Sequence, residues 1–303
     1  MSPQVVLLTG GTGGAKLARG MLEVLDADQL TVIANTGDDI EIYGGYVSPD
    51  PDLVTFWLAD LIDARGWGLK DDTFHVMDAL RGLGHDVWFN LGDRDLALGI
   101  QRAAALDRGL RLTEAHGTIV KALGVRADVL PMSDLPVRTR VLARGQWWPF
   151  QEFMIRGHGR GPVDDIELRG APAAAPTPEV LEAIDRAEAI VIGPSNPFVS
   201  IEPILAIPGM CDALRRASAP VIAVSPLVHG SVLKGPTDVF MQWAGLPLSS
   251  DGIVSRYVGL IDGIVADERA SKLPTLETSV LMDDPAARRR VAEQTLTFAI
   301  SLV

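Results

Sequence analysis

The chain has 303 residues, 47% of them apolar, and carries 27 basic against 39 acidic side chains for a formal net charge of −12 at pH 7. That length supplies one large core or two modest ones, and the acidic balance disfavours a nucleic-acid binder, which normally presents a basic face. There is no apolar run long enough to span a membrane, no basic-then-apolar leader, and one cysteine, Cys211; a soluble cytoplasmic protein without membrane contact, internal disulfide or cysteine metal site is expected.

The first ordered stretch is Val5-Val6-Leu7-Leu8-Thr9 followed by Gly10-Gly11-Thr12-Gly13-Gly14. A continuous apolar run closed by glycines predicts a buried parallel strand ending in a tight turn. Residues 15–25 then read as an amphipathic helix with Leu17, Met21, Leu22 and Leu25 on one side. Strand, glycine turn and helix are the first unit of a doubly wound sheet. Glycines admit a ligand close to the backbone, and the N–H groups opening the helix are donors for a phosphate. A nucleotide or diphosphate is therefore expected at the carboxyl end of the first strand. The loop fits neither standard fingerprint. Lys16 sits between Ala15 and Leu17, where a Walker loop needs Gly-Lys-Ser/Thr, and a dinucleotide fingerprint would want glycine at Lys16 and an acid where the chain has Ala34-Asn35.

Residues 31–35 form the second strand, and its exit, Thr36-Gly37-Asp38-Asp39, places two carboxylates at the ligand-binding edge of the sheet. A turn-rich stretch from Tyr43 leads to Asp50 and Asp52. This acidic pair either caps a helix through Leu53, Phe56, Trp57 and Leu61 or binds a ligand. Asp71 or Asp72 is expected to cap a helix over 74–83. Val87-Trp88-Phe89 reads as a strand with the polar exit Asn90-Leu91-Gly92-Asp93-Arg94-Asp95, before a helix over 96–106. Arg94 suits bidentate phosphate contact; the Asp-Arg-Asp run equally suits a self-satisfied salt-bridge turn.

A helix over 112–125, capped by Thr113, precedes a strand at 128–132. Residues 137–142, 145–148 and 152–155 read as short hairpin strands, and 157–178 as a Gly/Ala/Pro-rich loop with a strand at 165–168. Residues 128–178 thus mark an inserted, partly β subdomain within a single domain spanning 1–303. The α/β rhythm resumes with a helix at 178–187, strands at 189–192, 220–224 and 263–266, helices at 210–217 and 240–245, and a closing helix at 284–300. Three strand exits are polar and Gly/Pro-rich: the opening loop, Gly193-Pro194-Ser195-Asn196-Pro197, and Ser225 to Gly230. Their recurrence argues for one extended cleft.

An ordered set of motifs makes the chain recognisable. To the blocks already quoted it adds Ser48-Pro49-Asp50-Pro51-Asp52, Gly66-Trp67-Gly68, Leu130-Pro131-Met132-Ser133-Asp134, Pro136-Val137-Arg138-Thr139, Phe150-Gln151-Glu152-Phe153 and Lys234-Gly235-Pro236. Together they resemble the 2-phospho-L-lactate transferase family, CofD (FbiA in actinobacteria), of coenzyme F-420 biosynthesis. The resemblance implies a Rossmann-like α/β fold and a homodimer. It also implies transfer of a phospho-acid unit, derived from 2-phospholactate, phosphoenolpyruvate or 3-phosphoglycerate, from a guanosine diphosphate-linked donor. The acceptor is the ribityl hydroxyl of the deazaflavin Fo, GMP is released, Mg2+ is required, and a guanylyltransferase supplies the donor.

That chemistry assigns roles to residues. Gly10, Gly11, Thr12, Gly13, Gly14 and Lys16 are expected on the donor phosphates, with Ser195 and Asn196 on the guanine or ribose. Asp38, Asp39 and Asp50 offer hard oxygen ligands for magnesium. Asp52, Asp39 and Arg94 are the candidate catalytic groups, one carboxylate accepting the hydroxyl proton and Arg94 clamping the donor. By alignment to the family pattern Asp52 and Asn90 contact Fo; archaeal members often carry Lys at the second position, and an amide cannot supply that charge. Trp88, with Trp67 and Phe74, offers an aromatic face for the deazaflavin ring or serves as core. The competing reading is a Rossmann-like UDP-sugar-binding regulator with a similar glycine loop. Ile40-Glu41 after Asp38-Asp39 lacks the Gly/Ser-rich continuation of that group. An NAD-dependent oxidoreductase fails on the missing strand-two acid.

Overall fold

A computed structural model describes residues 4–302. β1 (Val5–Thr9) runs into α1 (Gly11–Met21) and β2 (Leu30–Ala34); a hairpin, β3 (Ile40–Ile42) and β4 (Gly45–Val47), then precedes α2 (Pro49–Leu58), α3 (His75–Gly82), α4 (Asp93–Asp107) and α5 (Leu112–Ala122). Next come β5 (Asp128–Pro131), β6 (Arg138–Ala143), β7 (Gln146–Pro149), α6 (Phe150–Ile155), β8 (Val163–Arg169), α7 (Pro178–Arg186) and β9 (Ala189–Ile192). The chain finishes through α8 (Glu202–Leu205), α9 (Met210–Arg216), β10 (Val221–Val224), the ribbon β11 (Leu227–Val228) and β12 (Ser231–Val232), α10 (Thr237–Trp243), α11 (Ser250–Arg256), β13 (Gly263–Ala266), β14 (Thr275–Glu277) and α12 (Pro285–Ile300).

Seven of these strands form one sheet in the order β14-β13-β10-β9-β1-β2-β5, every pair parallel. β1 lies between β2 and β9, with Val5 opposite both Leu30 and Ala189. The chain winds outward from β1 to one edge through β2 and β5, then returns and winds to the other edge from β9. The switch point therefore falls between β1 and β9, where a crevice opens at the strand ends. Continuous apolar strands need cover on both faces. Leu17, Met21, Val54, Val291 and Leu296 cover one face, and Val141, Phe153, Val180, Leu214 and Phe240 the other. Helices start where the sequence terminates extended chain: Thr177 Oγ1 accepts from Val180 N–H (3.2 Å) ahead of Pro178, and Asp284 Oδ1 from Ala287 N–H (2.7 Å) ahead of Pro285.

Several expectations are corrected. The glycine loop is the first turn of α1 rather than a preceding loop. Ser48 holds the N-cap position of α2, so Asp50 and Asp52 lie in its first turn and do not cap it. The caps at α3 and α4 are exchanged. Asp93 accepts from His75 and Val76 N–H (3.0 Å each), while Asp72 accepts from Arg94 (2.9 Å) and Asp95 N–H (3.1 Å). Thr113 does not cap α5; its N–H is held by Asp134 (2.8 Å). Val87-Trp88-Phe89 has no strand partner: Val87 and Phe89 pack against a small separate core of Val47, Met77, Leu91 and Leu96. Residues 152–155 lie in α6, where Phe153 packs on Phe240 at 6.1 Å, not in a strand. β5 closes an edge of the main sheet, so the antiparallel sheet β7-β6-β8 begins only after it. β14, α11 and the β11–β12 ribbon were not expected.

Candidate active site

The crevice at the switch point is a cleft of about 440 Å³. Its walls come from the glycine turn, the exits of β2, β9 and β10, α6, the segment around Lys234, and residues 280–282. Of the expected site residues, Gly10, Gly11, Thr12, Gly13, Lys16, Asp38, Asp50, Ser195 and Asn196 all line it.

The glycine turn is fixed by close approach. A Cβ on Gly13 would lie 2.1 Å from the Pro194 carbonyl oxygen, and one on Gly14 1.3 Å from Thr9 Oγ1, so the first turn of α1 packs directly on the exit of β9. Gly14 is thereby a packing glycine beneath the cleft. Ser195 Oγ lies 3.0 Å from Thr9 Oγ1 and accepts from Gly10 N–H (3.3 Å), which makes it a pin of the loop. Helix geometry leaves four N–H groups at the start of α1 without an intrahelical acceptor. Gly10 spends its own on Ser195 and Gly11 donates to Asp50 Oδ1 at 2.6 Å. Those of Thr12 and Gly13 are left for a ligand, at the positive end of the helix dipole. Asn196 accepts from Phe198 and Val199 N–H through Oδ1, while its buried Nδ2 has no protein partner among the described residues and stands at the cleft wall.

Asp38 and Asp50 are brought together by a residue without an expected role. Asn35, fully buried at the end of β2, donates through Nδ2 to Asp50 Oδ2 (2.8 Å) and Asp38 Oδ1 (3.1 Å), and accepts from Gly37 N–H (2.7 Å). Gln151 on α6 donates to the other oxygen of Asp38 at 2.9 Å. Every partner of the two carboxylates is neutral. Burial, with Asp50 and Asp39 close by, holds the Asp38 carboxyl well above the usual carboxylate range. Burial also pushes Asp50 up to about 6, against the donors Asn35 and Gly11. Asn35 and Gln151 were legible only as members of motifs.

The remaining candidates lie outside the cleft lining. Asp39 points the other way, accepting from Tyr46 Oη (2.9 Å) and Ser48 Oγ (2.7 Å), with Arg138 donating to Tyr46 Oη at 3.2 Å. Burial pushes it up to about 7, opposed by Arg138 and Ser48. Asp52 is ion-paired with the fully buried Arg102, whose guanidinium also donates to the Tyr46 carbonyl (2.8 Å) and to His116 Nδ1 (3.2 Å). Arg94 is exposed and donates to the Lys70 carbonyl (3.1 Å). Asn90 accepts from Arg81 (2.7 Å). Trp88 stacks on Phe89 at 5.5 Å and carries the Arg156 guanidinium over its ring at 5.2 Å. The structure thus collects the glycine turn and two of the four aspartates in one place, and distributes the others.

Strand order and crevice define a Rossmann-like α/β protein with a glycine-rich helix start at the switch point. A crystal structure of a upf0052 family member from Bacillus halodurans has the same fold, with a TM-score of 0.60 at 20% identity over 98% of this chain and 99% of that one. A family model described as 2-phospho-L-lactate transferase CofD matches residues 5–295. The chain is 40% identical over 266 residues to a 2-phospho-L-lactate transferase of Methanosarcina acetivorans, covering 88% of this chain and 86% of the relative. It is 36% identical over 314 residues to a phosphoenolpyruvate transferase of Kitasatospora aureofaciens, covering 98% of each. The chain belongs to the 2-phospho-L-lactate transferase CofD family.

Proposed function

We propose that this protein transfers a phospho-acid unit from a guanosine diphosphate-linked donor to the ribityl hydroxyl of the deazaflavin Fo in coenzyme F-420 biosynthesis. The observation that carries this reading is the pairing, in one cleft, of a phosphate cradle with two buried carboxylates that have only neutral partners. The family supplies the reaction class, and its 2-phospho-L-lactate and phosphoenolpyruvate transferases supply the phospho-acid.

In the reaction the hydroxyl oxygen of the acceptor bonds to the phosphorus that carries the acid. The bond from that phosphorus to the bridging oxygen breaks, and GMP leaves. The Thr12 and Gly13 N–H groups bind donor phosphate oxygens and hold the diphosphate in line for attack. Asp38 receives the hydroxyl proton: it lies in the cleft, its carboxylate is held in one orientation by Asn35 and Gln151, and its Gln151 contact comes from the helix whose Phe150 and Met154 form the apolar wall. That wall suits a flat acceptor ring. Asn196 Nδ2 offers a donor to the nucleoside.

Magnesium fits the residues present. No group of three or more metal-ligating side chains is arranged for an ion among the described residues. Magnesium, however, needs only one or two carboxylates and takes its other ligands from phosphate and water. Asp50, with Asp38 beside it, would hold the ion, and the absence of a cationic partner on either carboxylate leaves their charge to be neutralised. When bound, magnesium offsets the charge of the diphosphate.

The test is release of GMP from the labile donor, generated in place by a guanylyltransferase, with and without Fo. Release that requires both Fo and magnesium is expected. Binding of the nucleotide without Fo-dependent release would contradict transfer and favour a binding protein.

A further inference from the structure

Two lysines face the cleft from different walls: Lys16, expected on the donor phosphates, and Lys234, to which the chemistry above gives no role. Lys16 projects from α1, half-buried. Lys234 is exposed on the segment that follows β12, between the exposed Leu233 and Gly235, whose φ is +78°. Its Nζ lies 3.4 Å from where a Cβ on Gly66 would stand, so the side chain reaches over to the 63–68 turn. The ion pairs of the protein run elsewhere, through Arg19, Arg102, Arg111 and Arg138. Among the described residues neither lysine pairs with a carboxylate.

The two ammonium groups feel one another. Burial, then Lys234, then Arg288 lower the Lys16 pKa, with Asp283 acting in the opposite direction. In a chain of net charge −12, two cations that repel across a cleft and lack a counter-ion are a place for an anion. One phosphate is served by the Thr12 and Gly13 N–H groups. Both lysines line the same cleft as that cradle. A ligand with two linked phosphates matches both stations.

We propose that Lys234, from the wall of the cleft that follows β12 and together with Lys16, clamps the second phosphate of a nucleoside diphosphate and so selects diphosphates over monophosphates. This deepens the proposed function and rests on it. The segment that carries Lys234 follows directly on β12 at the surface, and Lys234 itself packs in no core. Its replacement therefore tests binding without threatening the fold.

The experiment is calorimetric titration of the full chain, in magnesium, with GDP and with GMP. Wild type is expected to bind GDP more tightly than GMP. Lys234→Met should lose about tenfold or more in GDP affinity and change GMP affinity by less than about twofold, with Lys234→Arg restoring most of the loss, since a charge-assisted phosphate contact is worth about that much. Unchanged GDP binding in Lys234→Met, or equal losses for GDP and GMP, would overturn the clamp while leaving the transferase reading intact if GMP release still requires Fo. Wild type that binds neither nucleotide and releases no GMP would overturn both.

Discussion

Four aspartates within fifteen residues look interchangeable in the sequence, and the structure gives them three different positions. Asp38 and Asp50 face the cleft through Asn35; Asp39 is tied to Tyr46 and Ser48; Asp52 is neutralised by Arg102. Helical geometry explains the second division, because residues two apart on α2 point to opposite sides. Asp52 needs Arg102 as much as Arg102 needs Asp52, since breaking a buried pair leaves an uncompensated charge. Beside this pair lies Asp95, partly buried, whose carboxyl is pushed up to about 7 by burial and then by Asp52 and Asp72. The folded chain holds this proton more tightly than the unfolded one. The associated stability is therefore complete below about pH 4, the carboxylate range of the unfolded chain, and is lost as pH rises through about 7. Asp95→Asn should raise the melting temperature at pH 8 by a few degrees and at pH 5 by clearly less, as read by calorimetry. Equal gains at both values, or a loss at pH 8, would show that Asp95 is not protonated by its surroundings.

At the scale of elements, the first turn of α1 is built around steric exclusion at one glycine and backbone conformation at another. Gly13 sits against Pro194, whereas Gly11 meets nothing but holds φ at +68°. Gly11→Ala should cost about 1–2 kcal/mol in stability, the penalty for a left-handed residue, and preserve most GDP affinity. Gly13→Ala should push the turn off the β9 exit and lose GDP binding by about tenfold or more. Thermal melts and titration on both variants separate the two effects; similar losses of affinity would contradict the assignment. The central strands of the sheet and most helices were legible because buried parallel strands are continuous apolar runs and helices carry Pro and acid at their starts. β14 was not: it is an edge strand of three partly exposed residues. The expected strand at 152–155 lies in α6 because four residues are too few for periodicity to choose between strand and helix, and the packing of Phe153 on Phe240 decides. The glycine turn, Asp38 and Asp50 were legible as a cleft. The roles of Asn35 and Gln151 were not, since Gln151 meets Asp38 across 113 residues of sequence.

On the scale of the whole molecule, winding the sheet outward from β1 and again from β9 brings distant segments to one crevice. The glycine turn, the β2 exit and α2 supply the cradle and the carboxylates; residues 150–154, 194–200, 225–237 and 280–282 supply the remaining walls. No single helix among the described residues is long and apolar enough to cross a membrane; the one bent pair that passes by composition, Pro197–Leu205 with Met210–Arg216, meets at 81° and contributes Phe198, Ile204 and Leu214 to the core. The cleft gathers charge of both signs, carboxylates at Asp38 and Asp50 and ammonium groups at Lys16 and Lys234, within a chain that is strongly acidic overall. Such a site suits a reaction in which a diphosphate is both bound and broken. The most direct measurement is mass spectrometry of the reaction of purified protein with Fo, magnesium, GTP, a donor-forming guanylyltransferase and each of the three acids in turn. The account predicts a phosphodiester of Fo with one of the acids, and its reduction by about a hundredfold or more in folded Asp38→Asn. Absence of any such product while the donor accumulates, or full activity in Asp38→Asn, would contradict it.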